Sequence, residues 1–322
     1  MAQRVLDVTV DAGRDGRTIG AILKQEAGVS NSVARGIIAA GRVKRNDEIV
    51  TDPAGRAVFG DVIVARFDPR VRHAAPPARR REVGFTTILE DKTFVVVDKP
   101  AGVLTVRMPD SDEETLVGRV GHSHKQRGLR WAGLRAVHRI DRMTSGLVLL
   151  TRTAAARADL IQQFARREPL REYVAVCEGT VDPPADTLIS WLVEDPRTHK
   201  VRPATDRAAG QEATLHYQRV EALPGATLVR VRLETGRHNQ IRAQFAERGW
   251  PLLGDRTYGR ASPLIDRVAL HAERLAFNHP VTGRRVDAVA PLPADFERLL
   301  RLLRSGARDQ GVAQGRSSRT SR

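Results

Sequence analysis

Apolar and polar positions follow three different rhythms along the chain. In "RTIGAILKQEAG" Ile19, Ile22 and Leu23 recur at helical spacing, and Gly28 supplies a stop. "SNSVARGIIAAG" offers Ser30 or Ser32 as an N-cap and Gly41 as a C-terminal stop. "RVKRNDEIV" reads as strand, Asn-Asp turn, strand, and "GDVIVARF" as a closing strand. Residues 1–68 are therefore expected to form a small helix-helix-hairpin unit. Residues 69–83 place Ala-Pro-Pro-Ala among arginines, too polar for a core and unsuited to a regular element, and read as a flexible linker.

Residues 84–303 change character. "TFVVVDKP" predicts a buried strand stopped by Pro100, and "GLVLLTR" predicts another. "TAAARADLIQQFARRE" predicts a helix with Leu160, Ile161 and Phe164 on one face. "REYVAVCEG" is a strand ended by Gly179. In "TLVRVRLETG" Val229, Val231 and Leu233 point in while Arg230, Arg232 and Glu234 point out. "HNQIRAQFAERG" turns helical, with Ile241 and Phe245 on one face. The class expected is α+β, with a mixed, mostly antiparallel sheet and flanking helices. Residues 304–322 are Gly, Ser and Arg with almost nothing apolar, and are expected to be a disordered basic tail.

Composition narrows the classes. The chain has 322 residues, 41% hydrophobic and 28% charged, as in an ordinary globular protein. No apolar run approaches the roughly 18–20 residues of a membrane span. "MAQRVLDVTVDAG" lacks the apolar stretch of a signal peptide, so a cytoplasmic protein is expected, with no membrane association. The single Cys177 forbids an internal disulfide and Cys-rich zinc sites, and the histidines show no HExxH spacing, so no metal is expected. The net charge of +15 is clustered. "RVRHAAPPARRRE" holds five arginines and one acid, and "RVGHSHKQRGLRWAGLR" holds five basic residues and no acid. Such stripes attract phosphate backbones.

One stretch carries candidate chemistry. In "AVHRIDRMTSGLVLLTR" Asp141 lies between Arg139 and Arg142, just ahead of a buried strand. A structural ion pair is the plain alternative. A carboxylate held among guanidiniums stays ionised, and an ionised carboxylate serves as nucleophile or base.

Two resemblances extend this reading. Residues 17–67, through "GRVKRNDEIVTDPAGRAVFGDVI", resemble the alpha-L RNA-binding domain of the ribosomal-protein-S4 type. That likeness implies that Arg35, Arg42, Lys44 and Arg45 face RNA. "HRIDRMTSGLVLL" resembles the catalytic motif of RluA-type pseudouridine synthases, HRLDxxTSG before an apolar strand, with Ile140 for leucine. "VVVDKPAGVLTV" is similar to the family's first motif, with Asp98 where Asn is common. "REYVAVCEG" is similar to its Lys-x-Tyr strand, with Arg171 for lysine. "LETGRHNQIRAQFAERGWPLLGDRTYG" is similar to its TGRxHQIR and GDxxYG segments, with Asn239 for histidine. "HAERLAFNHPVTGRRVDAVAPLPADFERLL" is similar to its last strands and helix.

The likeness implies isomerisation of uridine in RNA to pseudouridine, with no cofactor. Asp141 would be the catalytic carboxylate. Whether it adds to the base, attacks the ribose C1′ or abstracts a ribose proton stays open. Tyr173 would stack on the uracil and aid removal of the C5 proton, and Arg242 would pair with Asp141. Arg139 would enter the base stack when the target nucleotide flips out, which chemistry at C5 and C1′ requires; a phosphate contact is its alternative. His138 would be structural support on the RNA side, and Arg237 and Asn239 would belong to the substrate-facing motif. The partner expected is RNA, ribosomal rather than transfer RNA, and the protein a monomer. A catalytically silent S4-type RNA-binding protein is the second reading. A glycosidase, the third, wants two carboxylates about 5–10 Å apart, and only one is apparent.

Overall fold

The computed structural model describes residues 4–50, 55–68, 80–82, 84–108, 113–129 and 133–306. They divide into two compact units, Met1–Arg79 and Arg80–Arg322. In the first unit β1 (Arg4–Thr9) precedes α1 (Ile19–Ala27), α2 (Asn31–Ala39), β2 (Val43–Arg45), β3 (Glu48–Ile49) and β4 (Val62–Phe67). The helix signals act as read. The Thr18 hydroxyl accepts from the Ala21 amide, Gly28 closes α1 at φ +64°, and Ser30 caps α2 through the Val33 amide. Asn46 and Asp47 both take positive φ, which a two-residue hairpin turn between β2 and β3 requires. The sheet order is β1-β4-β2-β3, antiparallel throughout, and Ile22, Leu23, Ile37 and Ile38 pack on Ile63, Ala65 and Phe67. Strand β1 has no counterpart in the sequence reading. As an edge strand it buries only Val8, so its alternation is faint.

The second unit begins with β5 (Arg80–Glu82), β6 (Phe85–Glu90) and β7 (Phe94–Lys99). Next come α3 (Leu116–Gln126), β8 (Arg135–Ala136), β9 (Ser145–Thr151), α4 (Ala154–Ala165) and β10 (Leu170–Glu178). β11 (Ala185–Glu194), β12 (Val201–Pro203), a 3₁₀ turn (Arg207–Ala209), β13 (Gln211–Leu223) and β14 (Ala226–Leu233) follow. The chain closes with α5 (Gln240–Glu247), β15 (Leu270–Asn278), β16 (Arg285–Val289) and α6 (Ala294–Arg304). Twelve strands form one sheet, with the main path β12-β11-β13-β14-β10-β15-β9-β7-β6-β5. All pairings are antiparallel except β9 with β15.

The central strands are covered on both faces, hence their unbroken apolar runs. Val95, Val97, Val148 and Leu150 face α3 and α5, while Val96, Leu147 and Leu149 face the opposite core with Leu160 of α4. Val174, Val176 and Leu228 bury against Phe296, Leu299, Leu300 and Leu303 of α6. Residues 80–82, assigned by sequence to the linker, instead add a short edge strand to β6. Backbone pairing at an edge needs no apolar side chain, so composition does not reveal it. Residues 69–79 of that linker and 307–322 of the expected tail lie outside the described residues.

The "TSG" of the candidate motif has a definite backbone purpose. The Thr144 amide bonds the Asp141 carbonyl (3.1 Å), turning the chain into β9. Ser145 and Gly146 then pair with His271 and Ala272 in the short parallel contact. Gly146 sits at φ +114°, and a Cβ there would collide with the Ala272 backbone. Gly146→Ala should therefore destabilise the second unit by at least ~2 kcal/mol, read as a lowered midpoint in urea unfolding.

Candidate active site

A cavity of about 570 Å³ opens between the loop before β9, the end of α4, strand β10 and the turn into α5. Asp141 stands on its wall, and the backbone around Asp141 is held from several sides. The Thr105 hydroxyl donates to the Ile140 carbonyl (2.9 Å) and accepts from the Ile140 amide (3.3 Å). The Gly102 amide donates to the Arg142 carbonyl (2.8 Å). The fully buried Lys99 ammonium donates to the same carbonyl (3.0 Å) and to those of Pro100 (3.0 Å) and Val103 (2.8 Å). Burial pushes the Lys99 pKa down to about 7, and the field of Asp141 opposes part of that. One ammonium thus locks the loop after β7 to the loop that carries Asp141.

The two arginines beside Asp141 in sequence turn elsewhere. Arg142 reaches the Gly102 carbonyl (3.1 Å) and Glu113 (3.1 Å). Arg139 is exposed and has no polar partner among the described residues. The cation that meets Asp141 is Arg242 of α5, whose Nη1 donates to Asp141 Oδ2 at 3.3 Å. Arg242 is itself anchored by Asp255, through Nε to Oδ2 (2.7 Å) and Nη2 to Oδ1 (2.8 Å). The Asp255 side chain is wholly buried, and its Oδ1 also accepts from the Thr257 and Tyr258 amides. Nη1 also donates to Asn239 Oδ1 (2.8 Å), and the guanidinium lies 5.1 Å from the Tyr258 ring centre. Burial opposes the Arg242 charge, but the bonded Asp255 outweighs it and raises the pKa. Four of the five N–H groups of the guanidinium are engaged. The fork holds Asp255, and a single longer bond is left for Asp141.

Asn239 sits at φ +48°, a left-handed position that Asn tolerates better than most residues. It lacks a cap bond to α5, and its side chain instead bridges Arg242 and the Tyr258 hydroxyl (3.4 Å). Tyr173 forms another wall. It is 7% exposed, and its backbone lies at an irregularity in the β10–β15 register. Burial raises its pKa, Arg171 opposes that, and Asp141 adds to it. Arg171 donates to the Glu234 carbonyl (2.8 Å) and lies 5.6 Å from the Phe164 ring centre. A Cβ on Gly236 would come within 2.5 Å of its Nη1, so Gly236 leaves that guanidinium its room. Arg237 is exposed at the rim, its Nε bonded to the Glu212 carbonyl (2.9 Å).

His138 also lines the cavity, as an uncharged ring. It stacks on Phe164 with centres 5.1 Å apart, and its Nε2 accepts from the Leu149 amide (3.1 Å). Burial, reinforced by Arg171, pushes its pKa down to about 3. The structure therefore brings together Asp141, Tyr173, Arg242, His138, Arg139, Arg237 and Asn239 around one cavity. Arg35, Arg42, Lys44 and Arg45 belong to the first unit. There Lys44 lies 3.8 Å from Asp47 and Arg45 bonds the Arg56 carbonyl (3.1 Å), while Arg35 and Arg42 are exposed. Asp255, Lys99 and Tyr258 have no role in the sequence reading, although each lies in a quoted motif. The one usable signal was the acid of "GDRTYG", the only carboxylate shared by the two adjoining motifs besides Glu234 and Glu247. Among the described residues no group of acids, histidines or cysteine is arranged to hold a metal ion.

Comparison with known proteins gives a consistent result. Residues 93–247 match the family model described as RNA pseudouridylate synthase. The chain is 31% identical over 304 residues to the "Uncharacterized RNA pseudouridine synthase YhcT" of Bacillus subtilis, covering 92% of this chain and 97% of that one. It is 31% identical over 291 residues to the "Ribosomal large subunit pseudouridine synthase D" of Zymomonas mobilis, covering 85% and 90%. The solved structure of "Human RNA Pseudouridylate Synthase Domain Containing 4" shares the fold, with a TM-score of 0.57 and 21% identity over 68% of this chain and 92% of that chain.

Two outcomes follow from this geometry. Asp255→Asn leaves the buried fork of Arg242 short of its charge, and should cost about 3–5 kcal/mol of stability in urea unfolding. His138 has its folded pKa, about 3, below its unfolded value near 6.5, so the unfolded chain binds the extra proton. Its contribution is complete above about pH 6.5 and falls as the pH drops toward 3. Between pH 6.5 and 5 this amounts to about 2 kcal/mol, and His138→Gln should flatten that part of the stability curve by a similar amount.

Proposed function

The chain belongs to the family of RNA pseudouridine synthases, and from that premise we propose that it acts on structured ribosomal RNA with Asp141 as its catalytic carboxylate. The observation that carries the assignment is the Asp141–Arg242–Asp255 array in a cavity walled by Tyr173. Asp255 saturates the guanidinium fork, so Asp141 is the carboxylate with an oxygen to offer. Its side chain is 21% exposed, open to a ligand in the cavity yet screened from bulk water. The volume, about 570 Å³, lies within the usual range for small-molecule sites and suits one flipped nucleotide.

The remaining residues divide the work of holding the nucleotide. The Tyr173 ring supplies a stacking surface for the uracil. Its raised pKa keeps the phenol protonated, which favours stacking over service as a base. Arg139, exposed at the rim and without a polar partner among the described residues, is suited to enter the gap that the flipped base leaves. Arg237 and Arg171 add positive charge beside the path of the phosphates. The neutral ring of His138 supports the wall through Phe164.

Ribosomal RNA as target is supported by the relatives named for the large ribosomal subunit, including those of Zymomonas mobilis and Vibrio cholerae. We read the first unit as an S4-type RNA-binding domain, with Arg35, Arg42, Lys44 and Arg45 as its RNA-facing cations. A glycosidase reading is disfavoured, since Asp255 is committed to Arg242 and Glu234 to His216 (2.6 Å). A silent RNA binder would have no use for the anchored Arg242 and its loosely held Asp141.

The test is release of tritium from RNA labelled at uridine C5. The wild-type protein should release it from large-subunit ribosomal RNA and not from transfer RNA, and Asp141→Asn should release none. Equal release by Asp141→Asn would remove Asp141 from the chemistry, and release from transfer RNA alone would overturn the ribosomal target.

A further inference from the structure

Beyond the cavity, at the far edge of the large sheet, Trp191 of β11 carries a cation on its ring. The Arg207 guanidinium carbon lies 4.2 Å from the centre of the indole. Arg207 is exposed, and its side chain makes no hydrogen bond or ion pair among the described residues. The cation sits over the ring, and its N–H groups have no protein partner among the described residues.

The surroundings carry several arginines and are connected to the rim of the cavity. Trp191 pairs with Glu212 across β11 and β13, so the two side chains share one face of the sheet. Arg202 pairs with Val193 and projects to that same face. Glu212 contacts both rim arginines, accepting at its carbonyl from Arg237 (2.9 Å) and lying 3.7 Å from Arg167 by its carboxylate. Arg167 and Arg237 both line the cavity. The neighbouring acids are occupied. Asp206 caps the 3₁₀ turn through the Ala208 amide (2.9 Å), and Asp195 holds the turn amides of Arg197 (2.8 Å) and Thr198 (3.0 Å) while feeling Arg202. These carboxylates keep their charge, and Arg167, Arg237, Arg202 and Arg207 still run as a line of cations from the cavity rim to Trp191. The pair is built in. Gly210 packs so closely that a Cβ on it would lie 2.8 Å from Trp191 Cβ, which leaves the indole seated against the backbone.

We propose that Trp191 and Arg207 form a stacking platform for an unpaired nucleobase of the substrate RNA, flanking the uridine held in the cavity. The base lies on the open face of the Arg207 guanidinium, extending a stack of indole, guanidinium and base, while Arg202 and Arg167 meet adjacent phosphates. Stacking on aromatic and guanidinium planes tolerates any base, so the platform selects for an unstacked nucleotide at that distance from the target rather than for a sequence. It rests on the RNA-modifying reading of the cavity and adds a determinant of which RNA shape is accepted.

Binding and turnover are measured separately, so that failure of the platform and failure of the reaction are distinguishable. In the Asp141→Asn background, fluorescence anisotropy follows binding of a labelled short oligouridylate. Trp191→Ala and Arg207→Gln should each weaken it by about 5- to 100-fold, the range that base stacking sets, and Trp191→Phe should keep most of the affinity. In proteins that retain Asp141, the same changes should raise KM for ribosomal RNA while kcat holds. Unchanged affinity in Arg207→Gln, or a loss confined to Trp191→Ala together with a lowered melting temperature, would overturn the proposal. If no RNA is turned over by any variant, the assignment of the reaction fails, and the oligouridylate measurement still decides the platform.

Discussion

One guanidinium organises the cavity. Arg242 is tied by its fork to a buried carboxylate, Asp255, and gives a single remaining bond to Asp141. The asymmetry is the point. A symmetric pair of bonds to Asp141 would engage both of its oxygens. The fork is instead taken up by an acid that water does not reach, so the cation stays in place whether or not Asp141 is bound to it. The cost of burying Arg242 is met by Asp255 rather than by Asp141.

A similar economy governs the backbone beneath Asp141. Lys99 lies beneath the cavity surface, its ammonium bonded to three carbonyls from two loops. Thr105 bonds the Ile140 carbonyl, and Gly102 shares the Arg142 carbonyl with Lys99. The bonds that hold the loop of Asp141 are therefore polar and inward, while Arg139 and Arg237 stand exposed at the rim.

Much of this was legible in the chain, and the omissions have a common physical cause. Periodicity found α1, α4 and α5 and most central strands, since each buries a face that repeats at short range, and capping signals found α2. The turn residues of "TSG" were visible, but not that Gly146 is needed for a parallel contact with Ala272, more than a hundred positions away. Taken alone, the residues around Asp141 made its flanking arginines look like partners, whereas the family resemblance pointed to Arg242. Those arginines point elsewhere, and the partner comes from α5, 101 positions downstream. Asp255 and Lys99 went unassigned for the same reason: what they touch is set by the sheet, not by their neighbours. The edge strands β1 and β5 were missed because a strand with little to bury leaves a weak pattern.

The place of β15 in the sheet has a consequence for the order in which the protein comes into being. Strands β5 to β9, with the loop bearing Asp141, reach β10 to β14 along the sheet only through β15, which begins at Leu270. On the ribosome, Asp141 and Arg242 are both synthesised before the strand that brings their two halves into one sheet. Joining them waits on a pairing distant in sequence, the slow kind of step in folding. A chain still in synthesis therefore carries Asp141 and Arg242 before the sheet that joins their two halves is closed.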